Sequence, residues 1–400
     1  MTSSPAGWKE VRLGDLGPLS KGVGIRKNEV TPYGIPCVRY GQIYTEYNFV
    51  IGEIQTFVSP QVASNSRPLR KGEILFAGSG ETKEDIGKCI AYVEDVGAVA
   101  GGDIVILSPE GADSRFLGYL LNSPNVAKQK TSRAQGDAVV HISAANLASI
   151  VLDLPPLNEQ EAIAEALSDA DAAIESLDAM IAKKRDVKQA TMQQLLTGRT
   201  RLPGFDADWK EVRLREVAEV DPENLSAATS PFYEFNYISL ESVSKGRLVG
   251  FSEQVFHAAP SRARRILKDL DVLLATVRPN LLGHLLFRGD NNWIGSTGFA
   301  VVRCKSDLYC PTFMCQLVFS HVIQAQIELL ITGSNYPAIN SKDVRELCVP
   351  MPPLREQEAI ASVLTVMDDE LEALTQQVLK LRMVKQGMMQ DLLTGKVRLV

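Results

Sequence analysis

The chain has 400 residues, a net charge of −6 and 45% hydrophobic residues, which is enough for two or three domains with hydrophobic cores. It has no apolar run of about 18 residues that would predict a membrane helix, and its first residues lack the pattern of a signal peptide, so we expect a cytoplasmic protein with no membrane partner. No segment is basic overall, so any contact with nucleic acid needs local clusters of positive charge or a partner.

The first part of the chain predicts a mixed α/β domain. Apolar stretches at residues 71–77 and 102–107 indicate strands, and residues 116–121 indicate a short helix. The polar segment 78–87 follows the first of these strands. It contains glycines and Lys83, but their spacing differs from that of a phosphate-binding loop, which favours a flexible loop instead.

A long helix is predicted after this domain. Pro155 and Pro156 block helix formation before it, and Gly198 suits the left-handed residue after its end. Asn158 and Glu161 have the spacing of a capping box. Apolar residues recur at alternating intervals of four and three residues, which indicates a coiled-coil seam.

The second half of the chain repeats the first. Trp8 to Leu13 recurs as Trp209 to Leu214, and Leu154-Pro-Pro-Leu recurs as Met351-Pro-Pro-Leu. Strands are again predicted at residues 269–275 and 298–302, and a short helix at 313–318. A second long helix follows and has the same terminal Leu-Leu-Thr-Gly at the same offset of 197 residues. This pattern predicts a tandem duplication, not a solenoid.

The charges of the two long helices favour antiparallel pairing with each other. Each helix has an acidic first half and a basic second half, so antiparallel packing places opposite charges side by side. The same polarity would also arise if the charges only balanced the helix macrodipoles.

The cysteines and histidines give little support for a metal site. Cys304, Cys310, Cys315 and His321 could be imagined as zinc ligands, but their spacing fits no common zinc site. Buried free thiols are the simpler interpretation.

On the repeated openings, proline pairs, Glu-Gln-Glu segments and Leu-Leu-Thr-Gly ends, the whole chain resembles the DNA-specificity subunit of type I restriction–modification systems. The resemblance implies an α+β fold in which two mixed α/β target-recognition domains are separated by two long helices forming an antiparallel coiled coil, with a pseudo-twofold internal repeat. The corresponding segments are recognition domain 1 at residues 1–157, a central helix at 158–202, recognition domain 2 at 203–354 and a C-terminal helix at 355–400.

For contact with double-stranded DNA we favour polar and basic residues that we expect in loops after the strands. Arginine can read guanine, asparagine can read adenine, and lysine more often contacts phosphate. The candidates are Arg26, Lys27, Arg39, Ser79, Thr82 and Lys83 in the first domain, and Tyr237, Arg262, Arg264, Arg265, Arg278 and Asn280 in the second.

The resemblance also implies a chain without catalytic activity or cofactor of its own. Its implied partners are two methyltransferase subunits, which use S-adenosylmethionine, and motor-nuclease subunits, which use ATP and magnesium. We expect the isolated chain to self-associate through apolar positions outside the helix seam. Two alternatives stay open, an enzyme with an unrecognised site and a coiled-coil scaffold that binds no DNA.

Overall fold

The computed structural model describes residues 5–136, 139–332 and 337–399, which form two compact units. The first unit contains the chain up to Asp178 and the segment from Gln376 onward, and the second unit runs from Ala179 to Thr375. Both boundaries fall inside long helices, so each unit contains one of the predicted domains and part of each helix. The residue limits predicted for the domains therefore remain a prediction.

Unit 1 is built from short strands and short helices. Its strands are β1 (Lys9–Arg12), β2 (Leu19–Lys21), β3 (Val30–Thr31), β4 (Ile35–Val38), β5 (Phe57–Val58), β6 (Arg67–Pro68), β7 (Glu73–Ala77), β8 (Ser79–Gly80), β9 (Cys89–Tyr92), β10 (Val99–Ala100), β11 (Ile104–Leu107), β12 (Val140–His141) and β13 (Val151–Leu154). Its short helices are α1 (Tyr40–Thr45), α2 (Pro60–Ser64), α3 (Ser114–Leu120), α4 (Pro124–Arg133) and α5 (Ala144–Ala148).

The core of unit 1 lies on both faces of β7. This strand pairs with β11 and β9 in a sheet of order β2-β11-β7-β9, and a second sheet has the order β3-β5-β4-β10-β6. Because side chains alternate along a strand, Ile74 and Phe76 join one hydrophobic cluster, while Leu75 and Ala77 join another. The stretch predicted at 71–77 is thus a strand buried on both faces, which explains its continuous apolar sequence.

Unit 2 has a similar set of short strands and short helices. Its strands are β14 (Lys210–Arg213), β15 (Ala218–Val220), β16 (Glu234–Ile238), β17 (Val243–Ser244), β18 (Arg247–Leu248), β19 (Ser252–Val255), β20 (Ala263–Ile266), β21 (Val272–Ala275), β22 (Leu285–Leu286), β23 (Trp293–Ser296), β24 (Phe299–Cys304) and β25 (Cys348–Met351). The short helices of this unit are α7 (Leu214–Val217), α8 (Pro311–Val318), α9 (His321–Leu330) and α10 (Ser341–Glu346).

The central strands of the two main sheets have the same order in both units. The order β15-β24-β21-β22 corresponds to β2-β11-β7-β9, and β16-β23-β20 corresponds to β4-β10-β6. The central strand β21 again alternates between two clusters, with Val272 and Leu274 in one and Leu273 and Ala275 in the other. The predicted duplication is therefore confirmed at the level of topology.

The two long helices are α6 (Leu157–Leu195) and α11 (Leu354–Leu392), each of 39 residues. Both are followed by a left-handed glycine as predicted, with φ of 69° at Gly198 and 67° at Gly395. The predicted capping box is wrong, because α6 begins at Leu157 and Asn158 therefore lies within the first turn. The amides of Glu159 and Gln160 donate to the carbonyl of Pro156 instead.

Within each unit, the segments of α6 and α11 run antiparallel. In unit 1, Asp171 pairs with Lys385, and Asp178 accepts from Arg382 at 2.8 Å. In unit 2, Nζ of Lys188 lies 2.5 Å from Oδ1 of Asp368, and Nζ of Lys184 lies 2.7 Å from Oε1 of Glu370. The residue numbers rise on one helix as they fall on the other. The predicted antiparallel arrangement is confirmed, and the predicted seam positions are buried or half-buried on both helices.

A buried glutamate ties the start of each long helix to an arginine near the end of the other. In unit 1, both carboxylate oxygens of Glu159 accept from Arg398, at 2.5 and 2.7 Å. In unit 2, Arg201 donates twice to Glu356 at 2.6 Å, and the indole of Trp209 donates to the same carboxylate at 2.9 Å. These hydrogen bonds raise the pKa of both arginines. The carboxylates are fully buried, so the pairs fix the position of each helix start.

Among the described residues, no single helix is long and apolar enough to cross a membrane. The helices α8 and α9 reach that length only as a pair bent by 59°.

We expect Glu356→Gln to lower the free energy of unfolding of unit 2 by about 1–3 kcal/mol. The change leaves Arg201 without its charged partner, and the loss falls below the ~3–5 kcal/mol of a fully enclosed pair because a quarter of the Arg201 side chain is exposed. Urea unfolding followed by circular dichroism measures the effect. The exposed Glu358→Gln is the matched control, and an equal shift in both variants would contradict this account.

Candidate nucleic-acid interface

In unit 1, the polar loop predicted at 78–87 is held by a neighbouring hairpin. After β7, the short strand β8 pairs with β12, and the Ser79 hydroxyl lies 2.9 Å from Nδ1 of His141. The hairpin is closed by two backbone hydrogen bonds between Gln135 and His141. At the far end of the loop, the buried Lys130 donates to the carbonyl of Gly87 at 2.7 Å. The predicted flexible loop is therefore anchored at both ends.

In unit 2, the loop after β21 has the same support. The amide and the hydroxyl of Thr276 both donate to the carbonyl of Gly298 at 2.8 Å. Arg278 donates its amide to the carbonyl of Pro337 at 2.7 Å, and Thr332 and Ala338 exchange two backbone hydrogen bonds. This loop, residues 276–283, thus lies against the hairpin that contains Thr332 and Ala338.

The two hairpins are equivalent, and the sequence analysis missed them. Gln135 and Thr332 stand 197 positions apart, as do His141 and Ala338, which is the offset of the long helices. Their sequences share no motif, so the constant offset is the one signal that relates these two segments. We call the loop of each unit and the paired residues of its hairpin its rim; these pairs are Gln135 with His141 in unit 1 and Thr332 with Ala338 in unit 2.

Arg262 joins the rim of unit 2. The carbonyl of Arg262 accepts from the amide of Thr297 at 2.8 Å. The residue after Thr297 is Gly298, whose carbonyl accepts from Thr276. Arg262 lies just before β20 and Thr276 just after β21, so the short turn 297–298 connects them. The structure therefore brings together three of the predicted residues of this unit, Arg262, Arg278 and Asn280, all of them exposed.

In unit 1, Thr82 and Lys83 are exposed on the rim, and Arg39 is half-buried. Arg39 precedes α1, in which Tyr44 donates its hydroxyl to the carbonyl of Ser79 at 3.1 Å. Burial raises the pKa of Tyr44 to about 12, so this hydroxyl keeps its proton. Thr82 is engaged within the loop, where its hydroxyl donates to Asp85 at 2.8 Å.

Arg26 and Lys27 are exposed but lie on a separate 3-10 turn. The preceding Ile25 packs with Cys37, Val58 and Val99 in a small cluster of its own. This turn is positioned by β4, β5 and β10, and its place on the DNA-contacting surface remains a prediction.

Four predicted residues are in strands, so their expected location in loops is wrong. Ser79 is buried in β8, and Tyr237 is buried in β16 against Phe235 and Ile294. Nη2 of Arg265 lies 2.9 Å from Oδ2 of Asp221, and Cζ of Arg264 lies 5.0 Å from the ring centroid of Phe256. Strand pairing fixes all four side chains among protein neighbours, which leaves little of them for a ligand.

The cysteines are free, and among the described residues no group of three or more His, Cys, Asp and Glu side chains could hold a metal ion. Burial raises the pKa of Cys315 to about 12 and that of Cys89 to about 11, so both thiols stay protonated. The expectation of buried free thiols holds for Cys37 and Cys89, whereas the other four free cysteines are only half-buried.

The buried His284 contacts the end of β21, directly before the loop of unit 2. His284 accepts at Nδ1 from the backbone amide of Ala275 at 3.1 Å, and its ring packs against Phe319 at 5.3 Å. Burial lowers the pKa of His284 to about 4. A second proton would have to bind at Nδ1 and would break the bond to Ala275, so the ring is neutral at pH 7.

Two α/β units with related topology each present an anchored loop and hairpin, and each contains antiparallel segments of both long helices. The sequence model of the type I restriction modification DNA specificity domain matches residues 5–183 and again residues 206–381. The chain belongs to this family, and its role is the recognition of a DNA sequence.

Several curated relatives have similar sequences. The MjaVIII specificity subunit of a type I restriction enzyme from Methanocaldococcus jannaschii is 24% identical, over 98% of this chain and 94% of the relative. The EcoKI specificity subunit of Escherichia coli is 22% identical, over 89% of this chain and 81% of the relative. Among solved structures, the S subunit from M. genitalium has the same fold, with a TM-score of 0.62, 16% identity and coverage of 98% of this chain and 99% of that one.

We expect unit 2 to lose stability as the pH falls from about 6.5 to about 4 because of His284. The folded-state pKa lies below that of the unfolded chain, so this contribution is complete above pH 6.5 and is lost on acidification, by about 3 kcal/mol. His284→Asn keeps an acceptor but cannot titrate, and should flatten this part of the pH profile in urea unfolding. The exposed His257→Asn should leave the profile unchanged. A profile of His284→Asn that still parallels the wild type would rule out this role.

Proposed function

We propose that the chain is a non-catalytic, cytoplasmic specificity subunit that reads a bipartite DNA target, one half-site with the rim of each unit. The observation that supports this most strongly is the duplication of the rim. Both loops follow equivalent strands and are held by equivalent hairpins, yet the residues they expose differ. A common support with different exposed side chains suits two readers of different sequences.

The rim of unit 2 has groups suited to base readout. Arg278 can place its fork on the O6 and N7 of guanine, and Asn280 can bind adenine through its amide. Arg262, at the edge of the rim, suits a phosphate.

The rim of unit 1 differs in charge. Glu81, Glu84 and Asp85 are neighbours of Lys83 in the sequence, so this loop has an excess of negative charge. Close to phosphates this excess is unfavourable, but a carboxylate can accept from the N4 amino group of cytosine. We therefore propose that Lys83 contacts the backbone and that unit 1 reads a half-site of different composition from that of unit 2.

The chain carries a net charge of −6, which opposes tight binding of DNA by the chain alone. We propose that two methyltransferase subunits and motor-nuclease subunits complete the complex, with S-adenosylmethionine, ATP and magnesium bound by those partners. Apolar side chains outside the helix seam remain exposed for such contacts and for self-association of the isolated chain. They include Met180, Val187, Val366, Met383 and Val384. The alternative of a scaffold that binds no DNA has no specific observation in its favour.

We expect Arg278→Lys to relax selectivity at one base pair of the half-site read by unit 2, by about 5- to 100-fold. The variant keeps the charge but loses the bidentate fork, so general attraction to DNA should change little. Selection of preferred sites from random duplexes measures the change. Arg288→Lys, on an exposed arginine of the same unit outside the rim, is the control. Altered selectivity in the other half-site, or none at all, would contradict the assignment.

We also propose that the two long helices set the spacer between the half-sites. Insertion of four residues into both helices, at Asp178/Ala179 and Thr375/Gln376, leaves the contacts within each unit intact. It adds about 6 Å at ~1.5 Å per residue, so the preferred spacer should grow by about one or two base pairs while both half-sites stay the same. Four residues inserted after the exposed Gly111 are the control. An unchanged spacer in the helix variant would show that the helices do not measure this distance.

A further inference from the structure

An exposed leucine stands among the polar groups on the rim of unit 2. Leu281 is 61% exposed and follows Asn280 in the 3-10 turn Pro279–Leu281. Leaving a large apolar side chain in water is unfavourable, and a single one on a surface is usually unremarkable. Leu281 differs from such cases because it shares a short, fixed turn with Arg278 and Asn280.

The backbone of this turn is held in an unusual conformation. Arg278 and Leu282, on either side of Pro279–Leu281, are left-handed, with φ of 49° and 54°. A left-handed residue other than glycine costs about 1–2 kcal/mol, so the surrounding contacts must hold it in place. They are the hydrogen bond from Arg278 to Pro337, the bonds of Thr276 to Gly298, and the bond from Ala275 to the neutral His284. Leu281 is therefore presented in a defined position and does not belong to a free chain segment.

The chemistry of DNA leaves few partners for such a side chain. On the base edges of the major groove, the donors and acceptors suit Arg278 and Asn280, and the apolar group is the C5 methyl of thymine. We propose that Leu281 is a specificity-determining residue that recognises a thymine methyl group in the half-site read by unit 2. This inference rests on the proposed function, because it requires the rim to face the major groove.

The rim of unit 1 provides a contrast within the same chain. The corresponding loop exposes Glu81, Thr82, Lys83, Glu84 and Asp85, all of them polar. Dependence on a thymine methyl through a loop leucine is therefore confined to the half-site of unit 2.

The test combines a change in the protein with a change in the DNA. The full chain is purified with its bound subunits, and the selected duplex is prepared with each thymine of the unit 2 half-site replaced in turn by uracil, which lacks only the methyl group. Wild type should bind one of the uracil duplexes about three- to fivefold more weakly, the loss expected for one buried methyl group. Leu281→Ala should bind the thymine duplex more weakly than wild type and should bind both duplexes equally. The conservative variant Leu281→Met should keep the preference for thymine.

The control is Leu329→Ala, which removes an 88% exposed leucine of the same unit from α9, outside the rim. It should retain both the affinity and the preference for thymine. A half-site of unit 2 without thymine, equal binding of all duplexes by wild type, or an unchanged preference in Leu281→Ala would each overturn the inference. In each of these outcomes the complex still binds DNA with sequence preference, so only the role of Leu281 is refuted. A complex without any sequence preference would refute the proposed function itself.

Discussion

The architecture depends on the two buried carboxylates at the starts of the long helices. An ionised carboxylate cannot lose its water without strong partners, so Glu159 and Glu356 are stable in place only while Arg398 and Arg201 reach them. Each arginine follows the end of the opposite helix. It can therefore reach a glutamate at a helix start only when the helix segments in a unit run antiparallel. The amides of Gln160 and Gln357 then extend the same connection to the neighbouring domain, where they accept from the backbone amides of Asp113 and Cys310. Polarity of the helices and attachment of the domain therefore follow from one cluster.

Much of this framework could be predicted because its determinants are periodic or repeated. The intervals of four and three residues correctly predicted the helix seam. One predicted seam position is a lysine, Lys385, and it is buried like its apolar neighbours. Lys385 lies over the ring of Phe49 at 4.2 Å while it pairs with Asp171, so a charged residue is accommodated in an otherwise apolar stripe. The apolar stretches around β7 and β21 were equally clear, because strands buried on both faces contain hardly any polar residue. The charge pattern of the two helices favoured the antiparallel pairing, and the domain between them gives the chain enough length to return.

The recognition surface was harder to predict because it is assembled from distant segments. Tyr237 was expected in a loop, but its strand directs it into a core with Ile294, a neighbour that only sheet pairing provides. Arg265 has its partner Asp221 on a segment 44 positions earlier, and no local pattern announces that pair. The hairpins are short, and each is recognisable only beside the loop that it supports. Residue type indicated which side chains could read DNA, whereas tertiary pairing decided which of them are available to do so.

The arginine–glutamate clusters also bear on how far the fold relies on chain continuity. In unit 2, Arg201 donates to Ala207, six positions away, and in unit 1 Arg398 makes the equivalent bond to Ala6, 392 positions away. The same geometry is thus achieved once with a short covalent connection and once by side-chain contacts alone. A protease nick in the segment between Arg201 and Trp209 should therefore leave two fragments that remain associated, because the surrounding contacts already hold the corresponding ends together in the other unit.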